Sequence, residues 1–202
     1  MTQIASQSVG ELLASIAERS PAPGGGAAAA LVGATACSLA SMAVAYSLGR
    51  PSLGAHQGEL NEAFSTLGRT RSMLLTLAQR DADAFAEYSR LKALPTDDPE
   101  RVGLPGAARA VVDVPMAGLQ EAVGLLGLIE RLAAIANPNL RSDTAIAGVL
   151  AEAAAASSAW NVRINLALLD PADAARTEQQ ADQFLSEAAR SRAAVEAACA
   201  DG

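Results

Sequence analysis

Apolar residues recur at helical spacing along most of this chain, and clusters of Pro, Gly and Asn punctuate it. Val9, Leu12, Leu13, Ile16 and Ala17 mark a first helix that Ser6 or Ser8 can cap, ending near Arg19 ahead of Pro21 and Pro23. From Ala27 to Leu48 no charge interrupts the chain. A second helix is therefore expected from Gly25 or Gly26 to about Leu48, stopped by Gly49-Arg50-Pro51. Gly33, Cys37 and Ser41, four apart, would let another helix come close. The run is long enough to cross a bilayer. Thr35, Ser38, Ser41 and Ser47 interrupt it, however, and alanine drives insertion weakly. The reading is the central buried helix of a soluble bundle, with no membrane partner.

A third, long helix is expected from about Ala55 to Leu94. One stripe reads Leu60, Phe64, Leu67, Arg71, Leu74, Ala78, Asp81, Phe85, in steps of four and three. Two positions of that seam are charged. Asp83, two residues further on, falls on another face. A partly buried Asp81 must be paired, hydrogen-bonded or raised in pKa, and the last state suits proton transfer. An arginine from another helix or subunit is the alternative.

Pro95 to Pro105 reads as an exposed loop. Helix four follows from about Gly106 to Ala136, and Pro115 either kinks it or leaves Asp113 to cap a later start. Asn137-Pro138-Asn139-Leu140-Arg141-Ser142-Asp143 forms a polar turn, with Ser142 or Asp143 capping a fifth helix that runs to about Leu169. On that helix Asn161 and Asn165 share a face with Leu150, Ala154, Ser158 and Leu168, so two amides point together toward the interior. They either hold neighbouring backbones or read the edge of a heterocyclic ligand. Trp160 is expected in the core. Asp170 and Pro171 open a last, more polar helix reaching about Ala198.

The composition supports packed helices. Half of the 202 residues are hydrophobic but only 3% are aromatic, with alanine prominent, whereas sheets favour β-branched and aromatic residues. The expectation is a single domain, 1–202, folded as an all-α up-and-down bundle of five to six helices. A net charge of −7 without a basic stripe argues against nucleic acid as a partner. Cys37 reads as a small buried residue and Cys199 as near a frayed end; neither belongs to a metal or redox spacing. No secretory signal is visible, so a cytoplasmic location is expected. His56, the only histidine, lies beside a loop, and no metal site is expected.

Ser20-Pro21-Ala22-Pro23-Gly24-Gly25-Gly26 leads straight into the alanine-rich helix. A Gly-rich turn at a helix N-terminus offers unpaired N–H groups to a carboxylate, phosphate or developing oxyanion. It could equally be a tight connection between two helices. Gly24-Gly25-Gly26-Ala27-Ala28-Ala29 matches G-x-G-x-x-A in letters only, because no strand precedes it, and no Walker Lys follows.

Four stretches together carry a resemblance. They are Pro21-Ala22-Pro23-Gly24-Gly25-Gly26 with its helix, Asp81-Ala82-Asp83-Ala84-Phe85, Asn137-Pro138-Asn139 with Ser142-Asp143, and Asn161-Val162-Arg163-Ile164-Asn165. In this order and separation the chain resembles the cyclodeaminase/cyclohydrolase family of folate enzymes. That family includes the C-terminal domain of formiminotransferase-cyclodeaminase and stand-alone bacterial methenyltetrahydrofolate cyclohydrolases. The resemblance implies an all-α homodimer binding a tetrahydrofolate derivative in a cleft at or near the subunit interface, with no permanently bound cofactor. It places the family's catalytic acid at Asp81. It puts Pro23, Gly24, Gly25 and Gly26 against the ligand, and Asn137, Asn139, Ser142, Asp143, Asn161 and Asn165 around the pterin and nearby loops. The implied reactions are hydrolysis of 5,10-methenyltetrahydrofolate to 10-formyltetrahydrofolate and cyclisation of 5-formiminotetrahydrofolate with loss of ammonia; a non-catalytic helical dimer that binds a folate or a partner is the alternative. The chain departs from the pattern at Ala27, where many relatives carry Ser. It departs again after Pro95, where a common lysine gives way to Thr96-Asp97-Asp98, and at Gly103-Leu104-Pro105-Gly106, which replaces a basic, Gln-containing helix start. For the substrate's glutamate tail Arg71 is the candidate anion contact, with Arg90, Lys92 and Arg109 as further choices.

Overall fold

The computed structural model describes residues 4–200, so the outermost ends of the expected domain, 1–3 and 201–202, lie outside the described residues. Six α-helices make up the fold, and no strand occurs among the described residues. They are α1 (Val9–Ala17), α2 (Gly25–Ala45), α3 (Gln57–Ala93), α4 (Leu104–Ile135), α5 (Arg141–Asn165) and α6 (Pro171–Ala200). Short 3-10 turns precede α1, α3, α4, α5 and α6.

The uncharged run forms the centre. α2 packs against α3 on one side and α5 on another, α4 closes the gap between those two, and α6 covers α4 and α5. Its buried positions are Ala27, Ala29, Ala30, Gly33, Ala34, Ala36, Cys37, Ala40, Ala43 and Val44. Small side chains let three helices come close together, and dispersion contacts across many short distances replace a few large ones. A β-carbon on Gly33 would lie 3.1 Å from Leu74 Cδ1 and 3.4 Å from the Ala154 β-carbon, so α3 and α5 close on α2 there. Burial pushes the Cys37 thiol up to about 12. α2 and the Pro99–Ile135 stretch are long and apolar enough to cross a membrane, and more than half of each apolar window is buried in the bundle.

Local chemistry explains most helix ends. Ser8 caps α1 in a reciprocal arrangement with Glu11, and α1 stops at Ala17, two residues short of the expected end. α2 also ends early, at Ala45, before a turn closed by Gly49 at φ 73°. α4 starts at Leu104 and continues through Pro115, so Asp113 caps nothing and pairs instead with Arg109 at 2.7 Å. Neither Ser142 nor Asp143 caps α5. The helix begins one residue ahead of them, and Asp143 sits inside the first turn, where a carboxylate suits the helix dipole. Asp170 does cap α6, accepting from the N–H groups of Ala172 and Asp173.

The core corrects two further expectations. Trp160 is 70% exposed, because α5 turns Ala147, Ala151, Ala154, Ala155 and Ala159 inward and an indole has no room among them. In the α3 seam Leu60, Leu67, Leu74 and Ala78 are buried, while Phe64, Arg71 and Phe85 lie at its exposed edges.

Candidate active site

At one end of the bundle four elements converge. The N-terminus of α2, the C-terminal half of α3, the first turns of α4 and the last turns of α5 enclose a cleft of about 230 Å³. Pro21, Ala22 and the three glycines form one wall, Asp81 and Phe85 a second, and Val111 with Asn161, Ile164 and Asn165 a third. Antiparallel neighbours bring this about: the start of α2 meets the end of α5.

Gly24 is the N-cap of α2 and has no side chain to offer. The first intrahelical bond runs from Ala28 N–H to the Gly24 carbonyl at 3.0 Å, leaving the N–H groups of Gly25, Gly26 and Ala27 ahead of it. Asp81 fills the missing role from another helix. Its carboxylate accepts from Ala27 N–H, much as an N-cap aspartate accepts within its own chain segment. That bond favours the ionised form, but burial is the larger effect and holds the Asp81 carboxyl above its ordinary value. Gly26 makes the approach feasible, since a β-carbon there would overlap Oδ1, Cγ and Oδ2 of Asp81. The turn is a close helix–helix contact, and one of its N–H groups, that of Ala27, receives a carboxylate from within the chain.

The two amides of α5 behave differently from each other. Asn161 donates from Nδ2 to the Ser157 carbonyl at 3.0 Å. Its Oδ1 would stand 3.5 Å from a β-carbon on Gly25, so it faces the glycine turn. Asn165 donates from Nδ2 to the carbonyls of Val111 at 3.1 Å and Asn161 at 2.9 Å.

Other expected site residues lie elsewhere. Asn137 is buried at the far end of α2: its N–H donates to Ser47 Oγ at 2.7 Å and its Oδ1 accepts from Asn139 N–H at 3.1 Å. Asn137, Asn139, Ser142 and Asp143 are thus a helix length, about 30 Å, from the cleft in the same chain. Pro23 is half-buried beside the turn, after a cis Ala22–Pro23 peptide, but does not line the cleft. Arg71 lines a separate apolar groove with Leu12, Leu13, Ile16 and Leu31. Arg90 is held by Glu87 and Glu100, Lys92 lies over the Tyr88 ring, and Arg109 pairs with Asp113 and Asp173. None of these four cations lines the cleft. His56 ends the 3-10 turn before α3, outside the cleft.

Sequence reasoning did not assign Pro21, Ala22, Phe85, Val111 and Ile164 to the site. For Val111 a signal existed: Pro115 lacks the N–H that a helix would return to the carbonyl four residues earlier.

A profile of the formiminotransferase-cyclodeaminase family matches residues 8–184. The chain is 31% identical over 186 residues to a formimidoyltransferase-cyclodeaminase from Sus scrofa, covering 89% of this chain and 34% of that protein. It therefore spans about a third of that relative's length. A methenyltetrahydrofolate cyclohydrolase from Methylorubrum extorquens is 28% identical over 169 residues, 81% of each chain. The crystal structure of a formiminotetrahydrofolate cyclodeaminase from Thermotoga maritima superposes with a TM-score of 0.89 at 27% identity, covering 98% of both chains.

Proposed function

Because the chain belongs to the formiminotransferase-cyclodeaminase family, we propose that it is a folate one-carbon enzyme hydrolysing 5,10-methenyltetrahydrofolate to 10-formyltetrahydrofolate. One observation carries this: Asp81, a partly buried carboxyl raised by desolvation, stands in a cleft beside the free N–H groups of a helix N-terminus. The stand-alone cyclohydrolase relative, matched over 81% of each chain, favours hydrolysis.

The chemistry needs water and proton transfers. Ionised Asp81 takes a proton from water as its oxygen bonds to the carbon between N5 and N10. The protonated carboxyl then returns that proton to N5 as the N5–carbon bond breaks. The remaining hydroxyl loses its proton as the formyl C=O forms on N10, so one proton is released per turnover. A raised pKa suits a group that must be base and then acid. No permanently bound cofactor takes part. A cleft of about 230 Å³ suits the bicyclic head of a folate, with the tail outside it.

The second reading is cyclodeamination, favoured by the structural neighbour matched over 98% of both chains. There N10 attacks the formimino carbon, and Asp81 relays the N10 proton to the departing ammonia. In either reaction the protein acts as a homodimer in the cytoplasm. Asn139, Ser142 and Asp143 can then act only on the substrate of a second copy.

Two assays test this. Loss of the near-ultraviolet absorbance of 5,10-methenyltetrahydrofolate, against the uncatalysed rate, reports hydrolysis; ammonia release from 5-formiminotetrahydrofolate reports cyclodeamination. Acceleration of the first is expected. Folded protein that accelerates neither contradicts the proposal.

A further inference from the structure

We propose that Asn165 is a positioning residue that supplies to α4 the hydrogen bond Pro115 withholds, leaving Asn161 as the amide that reads the ligand. The inference rests on the reading of the cleft as a substrate site.

Within a helix the Val111 carbonyl would accept from the N–H of residue 115, and proline has none. α4 nonetheless continues without interruption, and both Val111 and Pro115 are buried. An orphaned carbonyl there would carry an unmet desolvation cost. Asn165 Nδ2 meets it at 3.1 Å from the last turn of α5. Its second amide hydrogen goes to the Asn161 carbonyl at 2.9 Å. Both donors are committed, so Asn165 has none left for a ligand.

Val111 is itself part of the cleft wall. The Asn165 bond thereby fixes the spacing between α4 and α5, the elements carrying Val111, Asn161 and Ile164. Asn161 differs: Ser157 takes one of its two Nδ2 hydrogens, and Oδ1 and Nδ2 would lie 3.5 and 3.7 Å from a β-carbon on Gly25, so an acceptor and a donor remain for a ligand.

A double-mutant cycle tests the assignment, with 5,10-methenyltetrahydrofolate as substrate. Asn165→Ala in the wild-type background should raise KM by roughly ten-fold and leave kcat and its pH profile in place, because Asp81 lies on another wall. Pro115→Ala restores the N–H to Val111, so in that background Asn165→Ala should have little further effect on KM. Asn161→Ala is the internal control and should raise KM equally in both backgrounds. An Asn165→Ala effect of the same size with and without Pro115 would overturn the proposal. Should Pro115→Ala not fold, Asn165→Asp decides: it sets an acceptor against the Val111 carbonyl and must be worse than Asn165→Ala. An Asp variant that is better than Ala would mark a ligand-facing acceptor and refute the positioning role. Thermal midpoints separate this test from the functional reading. With no folate turnover at all the enzyme proposal falls, yet Asn165→Ala should still lower the midpoint only where Pro115 is present.

Discussion

Asp81 of α3 occupies the space that a β-carbon on Gly26 of α2 would fill, and from there its carboxylate caps the Ala27 N–H. A glycine and an aspartate distant in sequence are thus one structural unit. The helix obtains a cap that Gly24 cannot provide, and the carboxyl obtains a desolvated position beside the open end of a helix dipole.

Gly26→Ala should therefore act as a mutation of Asp81. Alanine gains about 1 kcal/mol of helix propensity, but the carboxylate has to move to make room. The expected outcome is a folded helical protein with turnover reduced by about 100-fold or more. Gly24→Ala should be milder, since its β-carbon would stand 3.9 Å from the Pro21 carbonyl. Steady-state kinetics and circular dichroism on the two variants check the contrast, and equal effects would refute it.

Asp81 also links stability to pH. Its pKa is raised in the folded protein chiefly by burial, so the native state holds the proton more tightly than the unfolded chain does. Its contribution to stability is therefore greatest in acid and is lost as pH rises through the raised pKa. Asp81→Asn keeps an acceptor for Ala27 N–H and cannot ionise. Its thermal midpoint relative to wild type should rise from the acid end of the range to neutral pH. An offset independent of pH would argue against a desolvated carboxyl.

Asn137 should prove to be scaffold. It is 4% exposed, and its side chain accepts from Asn139 N–H at 3.1 Å through Oδ1 and donates from Nδ2 to the Tyr46 carbonyl at 3.4 Å, both bonds that alanine removes. Asn137→Ala should cost about 1–3 kcal/mol, roughly 3–10 °C in melting midpoint for a chain of this size. Activity per folded molecule should persist. Loss of turnover without loss of stability would place Asn137 on the ligand instead.

How far the sequence spoke depended on what each signal measures. The α3 seam was legible because Leu60, Leu67 and Leu74 are large and regularly spaced, and the same count singled out Asp81. α5 was harder. Alanine lines its buried side and also occurs outside it, so periodicity could not tell which face receives Trp160, and the only indole sits in solvent. The Asn137 and Asn161 motifs look alike in a sequence, yet the first ends at one pole of α2 and the second at the other. The sequence already sets them at opposite ends of α5, and the antiparallel pairing of α2 with α5 decides which of them meets the glycine turn. The bond from Asn165 to Val111 was half legible: Pro115 announced an orphaned carbonyl, but its donor comes from a different helix.

The most direct test of the central claim is kcat/KM for 5,10-methenyltetrahydrofolate across pH, measured on wild type and Asp81→Asn. Wild-type activity should rise with pH as one group ionises, at a pKa above that of an ordinary aspartate. The Asn variant should keep its fold and lose both that rise and nearly all turnover. A folded Asn variant with wild-type rates and an unchanged acid limb would contradict the assignment of Asp81 as the acid and base.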